Sequence, residues 1–127
     1  MMDKQQDSKV AVQHNFRKLK IYQRAIFFAV EIYAFSKDFP KSETYGLTGQ
    51  IRRAAISISL NIAEGSGSSS AKEFQRFLDI SRRSTYEVMS CLEIVARLNY
   101  CNKKDVERLI MEADEIAAMI TGFSNKL

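Results

Sequence analysis

Between Tyr45 and Gly65 the apolar positions of this chain fall on two sides of a helix instead of one. At about 100° per residue, Leu47, Ile51, Ala54, Ala55, Ile58 and Ile62 share a face, while Ile56, Leu60 and Ala63 fall nearly opposite. A polar sector of Gln50, Arg53, Ser57, Asn61 and Glu64 separates them, with Arg52 and Ser59 on the other flank. One apolar stripe is enough to hold a surface helix on its core. The second stripe therefore predicts a helix that packs on its own subunit with one side and on another surface with the other.

The same reading predicts three further helices. Residues 19–39 carry a broad stripe of Tyr22, Ala25, Ile26, Ala29, Val30, Ile32 and Tyr33, widened by Phe27, Phe28 and Phe35, again more than one contact face requires. Pro40 ends that helix, because a proline pushes the preceding residue out of the helical region. A short turn over 41–44 leads into the helix over 45–64, with Ser42 or Thr44 as its cap. The run Gly65-Ser66-Gly67-Ser68-Ser69-Ser70 breaks the chain next, and Gly65 stands where a C-terminal cap glycine belongs. Ser70 with Glu73 is a capping box for a third helix over 71–98. Its seam runs Phe74, Phe77, Ser81, Ser84, Val88, Cys91, Val95 and Leu98, and the two serines at its middle predict a close approach of a neighbouring helix. On an outer face, Asp79 and Arg83 have the spacing of a weakly attractive pair. Asn102 and Asp105 open a fourth helix over 103–125, with a seam of Val106, Leu109, Ile110, Ala113, Ile116, Ala117, Ile120 and Phe123. Four amphipathic helices with short links predict an all-α fold, an antiparallel up-and-down four-helix bundle over 16–127. Residues 1–15 are polar and aperiodic and are expected to form a disordered tail.

Composition narrows the chemistry. The 127 residues make one domain, and one proline and five glycines are too few breakers for a strand-rich fold. The net charge is +4, and all of that excess lies in residues 1–24, where Lys4, Lys9, Arg17, Lys18, Lys20 and Arg24 face only Asp3 and Asp7. Such a balance permits nucleic acid or an acidic partner without requiring either. Cys91, Cys101 and the single histidine, His14, do not make a metal-ligand set, and the cysteines read as reduced thiols of a cytoplasmic protein. The longest apolar run, Ala25 to Phe35, is interrupted by Glu31 and is shorter than the roughly 20 residues a bilayer crossing needs. The first residues lack the apolar stretch of a cleavable signal. No membrane, metal or cofactor is expected.

Three segments then carry a resemblance: FRKLKIYQRA at 16–25, FPKSETYGLTGQIRRAAISISLNIAEG at 39–65 and KEFQRFLDIS at 72–81. Over nearly the whole chain after residue 15 it resembles the four-helix bundle proteins of the 23S rRNA intervening sequence family, sometimes labelled S23 ribosomal proteins. That family is similar in turn to the accessory proteins of diversity-generating retroelements, basic pentameric barrels that bind nucleic acid and a reverse transcriptase. The resemblance implies bundles assembling as a ring, a homopentamer, with RNA or DNA and a protein such as a reverse transcriptase as partners. It implies no ribosomal role and no established activity. Two positions depart from the pattern. Ser66, Gly67 and Ser68 follow Glu64 and Gly65 where members commonly have an aromatic residue, a glycine and an arginine, and Arg83 stands before Ser84 where they commonly have glycine. The first departure removes an arginine from that turn. The second adds a charge where a close helix approach is expected.

Candidate site residues follow. Lys18, Lys20, Arg24, Arg52, Arg53, Arg82 and Arg83 are the candidate nucleic-acid surface, since an arginine fork matches phosphate oxygens and a ring multiplies the patch. The competing reading of the same residues is solvated faces and intersubunit ion pairs. Tyr22 and Tyr86 are the tyrosines placed to stack on bases beside them. Ser57, Asn61 and Glu64 are assigned to a structural polar network or oligomer interface, with Arg53 or a neighbour's arginine as partner for Glu64. As a general base Glu64 would have no second carboxylate, histidine or nucleophile at a recognisable spacing, so no enzyme is expected. The expected function is a non-enzymatic, oligomeric nucleic-acid-binding or ribonucleoprotein accessory scaffold. The alternative is a protein-protein assembly module that never touches nucleic acid.

Overall fold

The computed structural model describes residues 15–127. Among them the chain is all-α and has no strand: α1 spans Lys20–Ser36, α2 Leu47–Ser66, α3 Ala71–Arg97 and α4 Lys103–Asn125, with single 3-10 turns at Phe16–Lys18 and Lys41–Glu43. The disordered tail expected over 1–15 lies outside the described residues except for Asn15, as do Lys4, Lys9 and His14.

α1 stops at Ser36, short of the predicted end next to Pro40. Ser36 Oγ donates back to the Ile32 carbonyl at 2.7 Å and accepts from Arg52 Nε of α2 at 2.8 Å. The chain then turns so that Phe39 enters the core, with its ring edge-on to Phe35 at 5.5 Å and tilted against Tyr100 at 6.1 Å. Burial of one aromatic residue thus outweighs another turn of exposed helix.

The start of α2 also differs from expectation. Neither Ser42 nor Thr44 caps it. Glu43 Oε1 accepts the Leu47 N–H at 3.1 Å, while its other oxygen accepts the Tyr100 hydroxyl at 2.9 Å. Gly46 makes room for this carboxylate, since a Cβ there would stand 2.6 Å from Glu43 Oε1. The Tyr100 bond raises the phenol pKa above its ordinary value, with burial and the Glu43 charge adding to it. The later helices start where predicted: Ser70 Oγ accepts the Glu73 N–H, with the Glu73 carboxylate turned to Arg76 instead of completing the capping box, and Asn102 Oδ1 accepts the Lys104 N–H. After α3, Asn99 takes the left-handed conformation at φ 57° that asparagine tolerates at a helix end.

Every helix contributes to one core. Phe28 and Ile32 of α1, Ile51, Ile58 and Ile62 of α2, Leu78, Val88, Leu92 and Val95 of α3, and Leu109, Ile116 and Ile120 of α4 are sealed from solvent. Each such side chain stabilises the fold by about 1.5–3 kcal/mol relative to exposure. The broad first stripe divides. Ala25, Phe28, Ala29 and Ile32 are buried, whereas Ile26, Val30 and Tyr33 lie outside.

α2 and α3 approach closely through small residues. Ser81 Oγ donates to the Ile58 carbonyl at 2.7 Å and Ser84 Oγ to Ser57 Oγ at 2.9 Å. Gly65 is not the cap expected of it. It is a buried residue inside α2, without positive φ, where a Cβ would stand 2.7 Å from Phe77 Cβ and 2.8 Å from Phe74 Cδ1. Arg83 does not obstruct this approach, because it turns to the outer side of α3 and pairs with Asp79 at 3.1 Å.

Candidate assembly and nucleic-acid interface

The second stripe of α2 is uncovered in the single chain. Ile56 is 39% and Leu60 52% exposed, while the core stripe beside them is closed. On α1, Ile26, Val30 and Tyr33 follow one another at spacings of four and three residues, with Phe27 beside them; Phe27 is 65% and Val30 64% exposed. Arg52 joins the two strips. Its guanidinium lies 4.5 Å over the Tyr33 ring, and its Nη2 donates to the Tyr33 carbonyl at 3.2 Å. A contiguous apolar face of this kind, spread over two helices, marks an interaction surface.

Arg52 is therefore a clamp between α1 and α2, held by Ser36, the Tyr33 carbonyl and the Tyr33 ring. Loss of charge-assisted bonds costs about 1.5–3 kcal/mol each when buried, and less at this half-exposed site. Arg52→Ala is expected to lower stability by roughly 1–2 kcal/mol, and Arg52→Lys to recover only part of it, since an ammonium lacks the planar fork. Thermal melts of the two variants check this; equal melts for wild type and Arg52→Ala would remove the clamp.

The remaining basic candidates are not brought into one patch. Lys18 and Lys20 stand at the start of α1, whereas Arg52 meets its end, about 24 Å further along at 1.5 Å per residue. Arg24 faces α4 and grips Glu112 with Nε at 3.0 Å and Nη2 at 2.9 Å, with Glu115 at 3.2 Å. Arg82 and Arg83 of α3 share Asp79, at 2.7 and 3.1 Å. The Arg82 bond, with the charges of both arginines, holds the Asp79 carboxyl below its ordinary range. Arg53 on the outer side of α2 donates only to Gln50. Among the described residues, Lys18, Lys20 and Arg53 thus form no ion pair with another described residue. Of the tyrosines, Tyr22 packs edge-on to Phe16 at 4.8 Å, and Tyr86 is half exposed beneath the Arg82 guanidinium.

The polar network forms between α2 and α3. Asn61 Nδ2 donates to the Ser57 carbonyl at 2.9 Å and Ser57 Oγ at 3.0 Å, and Ser84 completes it from α3. Glu64, one turn beyond Asn61, is exposed and takes no part in it. Sequence reasoning missed the Glu43–Tyr100 strut and the Arg24–Glu112 grip, because both join residues distant in the chain. The thiols of Cys91 and Cys101 are free, and burial pushes both pKa values up. Among the described residues no group of three or more His, Cys, Asp or Glu side chains is placed to hold a metal ion. No helix there is long and apolar enough to cross a membrane.

Comparison with known proteins adds two findings. Residues 17–122 match the family model described as 23S rRNA-intervening sequence protein. The fold is similar to that of a crystallised protein of unknown function from the S23 ribosomal protein family of Bacteroides thetaiotaomicron, with a TM-score of 0.73 and 24% sequence identity, covering 82% of this chain and 97% of that one. No curated protein matches.

Proposed function

We propose that this chain, which belongs to the 23S rRNA-intervening sequence protein family, is a non-enzymatic cytoplasmic scaffold whose subunits close into a ring and hold RNA or DNA along it. The observation that carries the reading is the uncovered apolar face of α1 and α2. Each protomer is taken as an antiparallel up-and-down bundle. Pairing of Ser57 with Ser84 and of Gly65 with Phe77 supports that sense, because the numbering rises on α2 as it falls on α3. A closed ring covers the apolar face on every subunit, and we take its copy number as five, the number that the resemblance implies. Lys18, Lys20 and Arg53, free of ion pairs with other described residues, are then repeated around the ring, and phosphate affinity grows with each repeated contact. A non-enzymatic role is supported by arginines engaged with carboxylates.

The assembly module without nucleic acid is the second reading. It is favoured by Arg24, Arg82 and Arg83, whose charges are already met by Glu112, Glu115 and Asp79. A mobility-shift assay on the assembled protein with single-stranded RNA and duplex DNA at low and high salt separates the two. Binding at low salt, lost at high salt and weakened at least tenfold by Lys18→Glu with Lys20→Glu, is the expected outcome. An assembled protein that shifts neither probe at low salt leaves the assembly module as the function.

A further inference from the structure

A ring closed by rotation needs two different faces on each subunit, because a self-complementary patch pairs with its own copy and stops at a dimer. The α1/α2 face is one of them. We infer that the second is the outer side of α4, and that its occupant is the α1/α2 face of another copy of this chain. The inference rests on the ring reading above.

Charge supports this choice. Beyond the pairs made inside the protomer, Arg24 with Glu112 and Glu115 and Arg108 with Glu31, α1 and α2 together carry Lys20, Arg52 and Arg53 against Glu64, a net +2, while α4 carries Asp105, Glu107 and Asp114 against Lys103 and Lys104, a net −1. Lys37, exposed and without an ion pair among the described residues, stands at the C-terminal end of the apolar strip of α1. Facing a neighbour, it meets Glu107 and Asp114, which are exposed and unpaired among the described residues. Such complementarity fixes register and orientation. α3 offers no such acidic strip, since Glu73, Asp79 and Glu93 are paired along their own helix with Arg76, Arg83 and Arg97, and the remaining exposed charges, Lys72 and Glu87, cancel.

Shape agrees with charge. Met111, 72% exposed, lies on the same side of α4 as Ala118 and Gly122, and a Cβ at Gly122 would meet nothing within 4 Å. The α4 strip is therefore low, with one flexible apolar side chain, whereas Phe27 and Val30 project from α1. Projecting side chains against a shallow strip give the close packing a stable interface requires.

The test pairs Val30→Asp, on the α1/α2 face, with Met111→Asp joined to Asp114→Lys, on α4, using native mass spectrometry and light scattering. All three positions are exposed in the protomer, and circular dichroism checks that both chains stay folded. The expected result is that each variant alone is monomeric, with half-assembly shifted at least tenfold upward in concentration. Mixed together, they form a one-to-one heterodimer through the single remaining pair of intact faces. An α4 variant that keeps the wild-type oligomer overturns the α4 assignment and leaves the ring untouched. A wild-type chain that is monomeric at high micromolar concentration overturns the ring itself, and this inference with it.

Discussion

Val30→Asp is expected to convert the assembled protein into a folded monomer with an unchanged helical circular dichroism spectrum. Val30 is 64% exposed in the protomer, so a carboxylate there costs the isolated bundle little, within about 0.5 kcal/mol for a surface change. In the assembly the same position lies at the middle of the α1 strip with Ile26, Phe27 and Tyr33. A carboxylate buried there without a partner costs several kcal/mol. Since every 1.4 kcal/mol is about tenfold in affinity, each joint weakens by a factor on the order of a hundred or more, and every joint of the ring carries the change. Size-exclusion chromatography with light scattering reads the mass directly. An oligomer of unchanged mass would mean that the α1 strip is not the assembly face.

The second large effect lies inside the protomer. Gly65→Ala is expected to destabilise the bundle, although alanine is the better helix former by about 1 kcal/mol. The new methyl would stand 2.7 Å from Phe77 Cβ, an atom fixed to the α3 backbone, and 2.8 Å from the Phe74 ring, which is held edge-on to Phe123 at 5.6 Å. Neither neighbour can swing aside freely, and overpacking of this kind costs typically 1–3 kcal/mol. Because the 2.7 Å contact is to an atom fixed to the α3 backbone, the upper half of that range applies, and the net loss of about 1–2 kcal/mol lowers Tm by roughly 3–10 °C for a chain of this size. Gly122→Ala is the matched control. It makes the same change inside α4 where a Cβ meets nothing within 4 Å, so Tm should rise by a few degrees. Both are best measured by calorimetry in the Val30→Asp background, where assembly does not contribute. A Gly65→Ala chain as stable as its parent would show that α2 and α3 can part at no cost.

Helix positions were legible because each rests on local chemistry. Ser70 and Asn102 cap their helices through atoms two or three residues away, and the fourth helix spans the predicted 103–125. The end of α1 was not, because Phe39, Tyr100 and Arg52 decide it across 61 residues of chain separation between Phe39 and Tyr100. Gly65 illustrates the same division. Before Ser-Gly-Ser it looked like a cap, and only the placement of Phe74 and Phe77 makes it a contact point. Among the candidate basic residues, charge was visible from the start, but whether a charge is already met was not. Arg24 looks as free as Lys20 in the chain, yet Glu112 lies 88 residues away in sequence and 2.9 Å away in space.

By itself the amino-acid sequence determined the helices, their core stripes and the excess of apolar surface on the first two, since periodicity and capping are properties of neighbours along the chain. It also determined that Ser81 and Ser84 occupy a seam where helices come close, while the place of Ser57 and Asn61 opposite them came from the tertiary structure. Tertiary structure alone decided which apolar residues stay uncovered, which arginines are spent on ion pairs and which small residue marks the closest approach. Those depend on what stands opposite, and a helix carries no local record of its partner.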